Sequence, residues 1–204
     1  MSDRKQHWQA IYSEKTHREV SWYQAEPTLS LSLIEHCQLQ KDQAIIDVGG
    51  GASTLIDKLL ERSYTKLAVL DIAAKALEQA QQRIGAQAEQ VEWFDQDITE
   101  FVAPHPFALW HDRAVFHFLT EAADRQKYIT ALKAALPPGG YLIIAAFAIG
   151  GPSQCSGLDI VQYDAAKIGK ELGEAFELLE QASETHRTPS GMEQAFNCFR
   201  FLRK

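Results

Sequence analysis

The chain has 204 residues, 46% apolar and 23% charged, which suits one globular domain with a sizeable core. Its net charge of −7 comes with no Lys/Arg cluster, and this argues against nucleic acid or an anionic membrane surface as partner. The opening residues hold no apolar h-region, and no apolar run approaches the ~18 residues of a membrane-spanning helix. With Cys37, Cys155 and Cys198 too few and too scattered for a disulfide framework or a CxxC metal pair, a reducing cytoplasm is expected and no metal.

Residues 1–30 carry Trp8, Tyr12, Trp22 and Tyr23 at mixed spacing, which reads as a short helix and loop. Leu29, Leu33 and Ile34 lie on one face of a helix over 28–37. A buried strand over 43–48 runs into Gly49, Gly50 and Gly51, and Ser53 then serves as N-cap of a helix over 54–62. A strand over 66–71 and a helix over 73–84 follow, then strands over 91–98 and 107–112. A helix over 120–136 stops at Pro137, Pro138 and Gly139, and a fully apolar strand fills 140–148. Strands that alternate with helices and lack polar alternation imply a parallel sheet covered on both faces. The rhythm then breaks: after a helix over 163–172, strands over 176–186 and 194–202 are joined by a short turn-rich link, so they should pair antiparallel.

Three successive glycines after a buried strand mean that something must approach the backbone closely. In a doubly wound sheet the ligand lies beyond the carboxyl ends of the strands at the switch point, where the first strand usually sits. A dinucleotide fingerprint, G-x-G-x-x-G, needs a third glycine where this chain has Thr54. An NAD(P)-dependent oxidoreductase is therefore opposed.

The acid Asp47 followed by Gly49 and Gly51 resembles the first motif of class I S-adenosylmethionine-dependent methyltransferases. The likeness continues in "AVLDIA", "FDQDITEF", "LWHDRAVFHFL" and "LPPGGYLII", and in the terminal antiparallel hairpin. The opening "HWQAIYSEKTHREVSWYQAEP" is similar to the N-terminal cap of a bacterial subgroup of small Rossmann-like enzymes. The resemblance implies a seven-stranded, mostly parallel α/β sheet with an antiparallel last strand, in one domain over 1–204 with 1–30 as a lid. It also implies S-adenosyl-L-methionine as cofactor. By that likeness Asp47 serves the methionine end, with Gly49 and Gly51 admitting the cofactor, Asp71 with Ile72 takes the ribose, and Asp97 with Ile98 takes the adenine. Asp95 is the competing adenine acid. Trp8, Tyr12 and Trp22 close over the cofactor.

His111 and Asp112, at the end of the fourth strand, are expected to line the cofactor pocket, whereas Arg113 is read as an ion-pair partner. Were a base needed, His117 is the first candidate and His111 the second. Cys155, in the polar loop after the fifth strand, is expected at the acceptor side of the rim, and His117, Cys155 and His186 could gather as a soft-ligand cluster. The reading is transfer of a methyl group to a small-molecule thiol, carboxylate or amine. Its alternatives are a protein lysine N-methyltransferase and a non-enzymatic S-adenosylmethionine-binding module.

Overall fold

The computed structural model describes residues 3–204. The first half of the sheet is built from β1 (Ile45–Val48), β2 (Leu67–Asp71), β3 (Val91–Asp95), β4 (Leu109–Arg113) and β5 (Tyr141–Phe147). All five run parallel, and the terminal hairpin adds the long strands β8 (Phe176–Arg187) and β9 (Glu193–Arg203). The spatial order is β3-β2-β1-β4-β5-β9-β8, with β9 antiparallel to both of its neighbours. The seven strands and antiparallel last strand are those expected from the alternation of elements. The crossover direction reverses between β1 and β4, which places the ligand crevice at their carboxyl ends.

Every residue of β1 and β2 is buried, as parallel strands covered on both faces require. On one face Trp110 and Phe199 of the sheet share a buried cluster with Tyr128 and Leu132 of α5 (Ala122–Ala135) and Ile168 of α6 (Ala165–Leu172). On the other, Ile143 and Phe147 share one with Ile34 of α2 (Thr28–Glu35) and Leu59 of α3 (Leu55–Glu61). α1 (Asp3–Glu14) packs across the glycine turn onto α4 (Ala74–Ile84) through Tyr12, Ala73 and Ala76. No helix of the described residues is long and apolar enough to cross a membrane.

Three local details differ from expectation. β3 ends at Asp95 rather than 98, because Asp97 Oδ1 accepts from the Thr99 N–H and turns the chain into a 3₁₀ turn, Ile98–Glu100. α3 begins at Leu55: the Thr54 hydroxyl is committed to the Gln24 carbonyl, and Ser53 Oγ accepts from the Leu55 N–H instead. The polar stretch after β5 contains a small hairpin, β6 (Gln154–Cys155) and β7 (Leu158–Asp159).

Candidate active site

Beneath α1, at the carboxyl ends of β1, β2 and β4, lies a cavity of about 830 Å³ including its mouth. Gly49, Asp71, Ile72, Asp97 and Ile98 line one end of it. Asp71 ends β2, and its Oδ1 accepts from the Ala73 N–H at 2.8 Å. Burial, reinforced by the charges of Asp47 and Asp95, raises its carboxyl to about 7. Asp97 reaches the same wall while Arg4 of α1 spans it and Asp124. Asp95, exposed and paired with Lys5, is not among the lining residues.

The glycine turn explains how the acids come so close. A Cβ on Gly50 would collide with Asp47 Oδ2, and one on Gly51 with Asp71 Oδ2. Gly49 has φ +67°, and a Cβ there would collide with Val115 of the turn beyond β4. Arg83 of α4 fastens the turn from outside, donating to the carbonyls of Ala52 and Ser53 and pairing with Asp57. α1 and the loop behind it form the roof, where Trp8, Trp22 and Phe118 meet edge to face and Tyr12 packs on Trp22. Gln24 and Ser21 of that loop bond to Glu184 and His186 of β8.

Asp47 and His111 are register partners on β1 and β4. The His111 ring joins Asp47 Oδ1 (2.7 Å) to Ser30 Oγ (2.9 Å), so both nitrogens are committed. Asp47 Oδ2 is buried and has no hydrogen-bond partner among the described residues. These three residues line a smaller, adjoining cavity that shares Trp22, Gly49 and Arg113 with the larger one.

Asp112 lines neither cavity, contrary to expectation. It is fully buried and accepts from the N–H groups of Val115 and Phe116 and from the Tyr128 hydroxyl. Successive strand residues face opposite ways, so Asp112 points to the α5 side and Arg113 to the cavity. His117 also lines neither. Its Nδ1 accepts from the Phe147 N–H, and burial, helped by the charge of Arg113, drives its pKa down to about 3. It is therefore a neutral packing group and a poor base. His186 is tied to the Ser21 carbonyl. Cys155 does reach the cavity, but as a 7% exposed thiol whose pKa burial raises. No cluster of three or more His, Cys, Asp or Glu that could hold a metal occurs among the described residues, so the soft-ligand cluster does not assemble.

The cavity is also lined by residues with no local signal in the sequence: Gln96, whose N–H donates to the Asp71 carbonyl, and Phe118, Phe147, Gln194 and Phe196. Arg113 lies beside Phe196. Its guanidinium lies 4.5 Å over the Phe196 ring, pairs with Glu184 at 3.4 Å and donates to the Trp22 carbonyl at 3.3 Å.

Residues 46–142 match the family model described as a methyltransferase domain. No curated protein matches the chain by sequence. Among solved structures, one described for the conversion of a disulfide bond into a thioacetal group during echinomycin biosynthesis has TM-score 0.79 at 16% identity, over 98% of this chain and 91% of the other. An S-adenosylmethionine-dependent methyltransferase from Anabaena variabilis has TM-score 0.75 at 16% identity, over 100% and 96%. The N-methyltransferase NodS of Bradyrhizobium japonicum, with S-adenosyl-L-homocysteine bound, has 0.64 at 19%, over 88% and 89%. At such identities the likeness is one of fold.

Residues 46–142 thus match a methyltransferase domain, set in a fold shared with S-adenosylmethionine-dependent methyltransferases. The residues of the site suit S-adenosyl-L-methionine as cofactor. Asp47 offers an orphaned carboxylate oxygen, and the turn leaves no space for a side chain at Gly49 or Gly51.

Proposed function

We propose that the protein transfers the methyl group of S-adenosylmethionine to a small-molecule acceptor, with residues 1–30 as a lid over both. The observation that carries this is a single roofed cavity joining the acids Asp71 and Asp97 to a second, aromatic half around Arg113, Phe147 and Phe196. In this reading Asp71 holds the ribose hydroxyls, Asp97 and Ile98 the adenine, and Asp47 with Gly49 the methionine end. His111 and Ser30 act as positioning residues, because they fix Asp47 Oδ1 and leave Oδ2 to a ligand donor. Trp8, Tyr12 and Trp22 exclude water.

When bound, the cofactor supplies a methyl group on a sulfonium, and the acceptor's lone pair forms the new bond as the carbon–sulfur pair leaves on sulfur. The protein has mainly to position and desolvate. It has little else to offer, since His117 is buried away from the cavity and Cys155 and Tyr12 are held protonated by burial. An acceptor that needs no base fits best. The enclosure supports a small acceptor over a protein side chain: Arg4 and Lys5 bind α1 down to Asp97, Asp124 and Asp95, and β8 holds the following loop.

Methyl-labelled S-adenosylmethionine, incubated with the enzyme and a cell extract split by ultrafiltration, tests this. Label should enter the low-mass fraction. Label confined to protein, recovered as methyl-lysine, would overturn the small-molecule reading.

A further inference from the structure

Resting on that reading, we infer that the acceptor is an organic carboxylate with an apolar, planar body, its carboxylate held by the Arg113 guanidinium and the Gln194 amide. Arg113 stands at the end of β4, where the two cavities meet, with its guanidinium over Phe196 of β9 and paired with Glu184 of β8. It is thus the cation beside the aromatic half of the larger cavity. A guanidinium carries five N–H donors, and only two are used here, both in long contacts at 3.3 and 3.4 Å. Its counter-ion Glu184 is not among the residues that line the cavity, so the ligand faces the cation and not its partner.

Gln194 supplies the second, independent sign. It is 7% exposed, lines the same end of the cavity, and its side-chain amide makes no hydrogen bond among the described residues. Facing the cavity without a partner among the described residues, the amide N–H is available to a ligand oxygen. Arg113 and Gln194 together offer donors on one wall, the pattern that suits a carboxylate.

The remaining surroundings agree. Phe118, Phe147, Phe196 and Trp22 give the ligand flat apolar walls. The other titratable groups at this end, Cys155 and Tyr12, are kept neutral by burial. In this half of the cavity the nearest charge is the Arg113 guanidinium, and a sulfonium beside it would further favour an entering anion over an ammonium.

The test titrates benzoate, benzamide and benzylamine into the S-adenosylhomocysteine-saturated enzyme, followed by saturation-transfer NMR. Benzoate should bind at least tenfold more tightly than benzamide, with benzylamine weakest. Arg113→Gln should abolish that preference while S-adenosylhomocysteine affinity, measured separately, stays within threefold. Gln194→Leu, which leaves the Arg113–Glu184 pair intact, should weaken benzoate at least fivefold and serves if Arg113→Gln does not fold. Equal binding of the neutral and anionic probes, a preference for benzylamine, or no binding of any probe would overturn the proposal. So would a tenfold loss of S-adenosylhomocysteine affinity in Arg113→Gln, which would assign the guanidinium to the cofactor. If the wild type fails to bind S-adenosylhomocysteine at all, the methyl-transfer reading itself falls.

Discussion

Gly49→Val should abolish S-adenosylhomocysteine binding and lower the stability of the protein. Gly49 lies on the wall of both cavities, with φ +67° and no room for a Cβ beside Val115. A β-branched residue there pays about 1–3 kcal/mol for the left-handed backbone. Overpacking adds a similar amount, about 1–3 kcal/mol. Val115 cannot yield easily, because its N–H is bonded to the buried Asp112. Gly139→Val is the control: its φ is also positive, but nothing lies within 4 Å of a Cβ there. It should lose stability and keep cofactor affinity. Calorimetry and thermal melts read both variants, and a Gly49→Val protein that binds within threefold of wild type would show that the turn does not face the cofactor.

Asp71→Asn should separate stability from binding in opposite directions. The carboxyl's ordinary value is 3.8, and burial raises it to about 7 in the folded protein. Between those values the native state holds a proton that the unfolded chain has released, so this group's contribution to stability falls as pH rises through the window. Its penalty is fully developed above pH 7 in the ligand-free protein. The variant should therefore melt above the wild type at pH 8, and the gap should close toward pH 4. The difference between the two proteins is the quantity to follow, because His117, held neutral, contributes a slope of the opposite sign below its ordinary value of 6.5. Asn can still accept from the Ala73 N–H, so the fold survives. S-adenosylhomocysteine affinity should drop at least tenfold, since a hydrogen bond to a charged group is worth about 1.5–3 kcal/mol. A pH-independent gap, or unchanged affinity, would remove Asp71 from the ribose role.

How much of this was legible depended on whether the cause was local in sequence. The buried runs of β1, β2 and β5, the proline-glycine stop after α5 and the short link between β8 and β9 are neighbour effects, and they placed the sheet correctly. The place of Asp71 and Gly49 on the cavity wall was legible for the same reason, as an acid and a glycine fixed by strand ends. The run His111-Asp112-Arg113 was not. His111 and Asp112 read as pocket lining and Arg113 as an ion-pair partner, yet strand alternation sends Asp112 to Tyr128, 16 residues further along, and leaves Arg113 both paired with Glu184 and in the cavity. His117 and His186 carry chemistry in general, but packing against Phe147 and a bond to Ser21 commit them here. Gln194 gave no local signal, because its place comes from the long register of β8 on β9 and the docking of loop 20–24.

We propose that the roofed cavity over the glycine turn binds S-adenosylmethionine. Isothermal calorimetry of the intact protein with S-adenosylhomocysteine and, separately, with NADH tests it most directly. The structure predicts one S-adenosylhomocysteine bound per chain at micromolar affinity and no heat from NADH; heat from NADH with none from S-adenosylhomocysteine would contradict it.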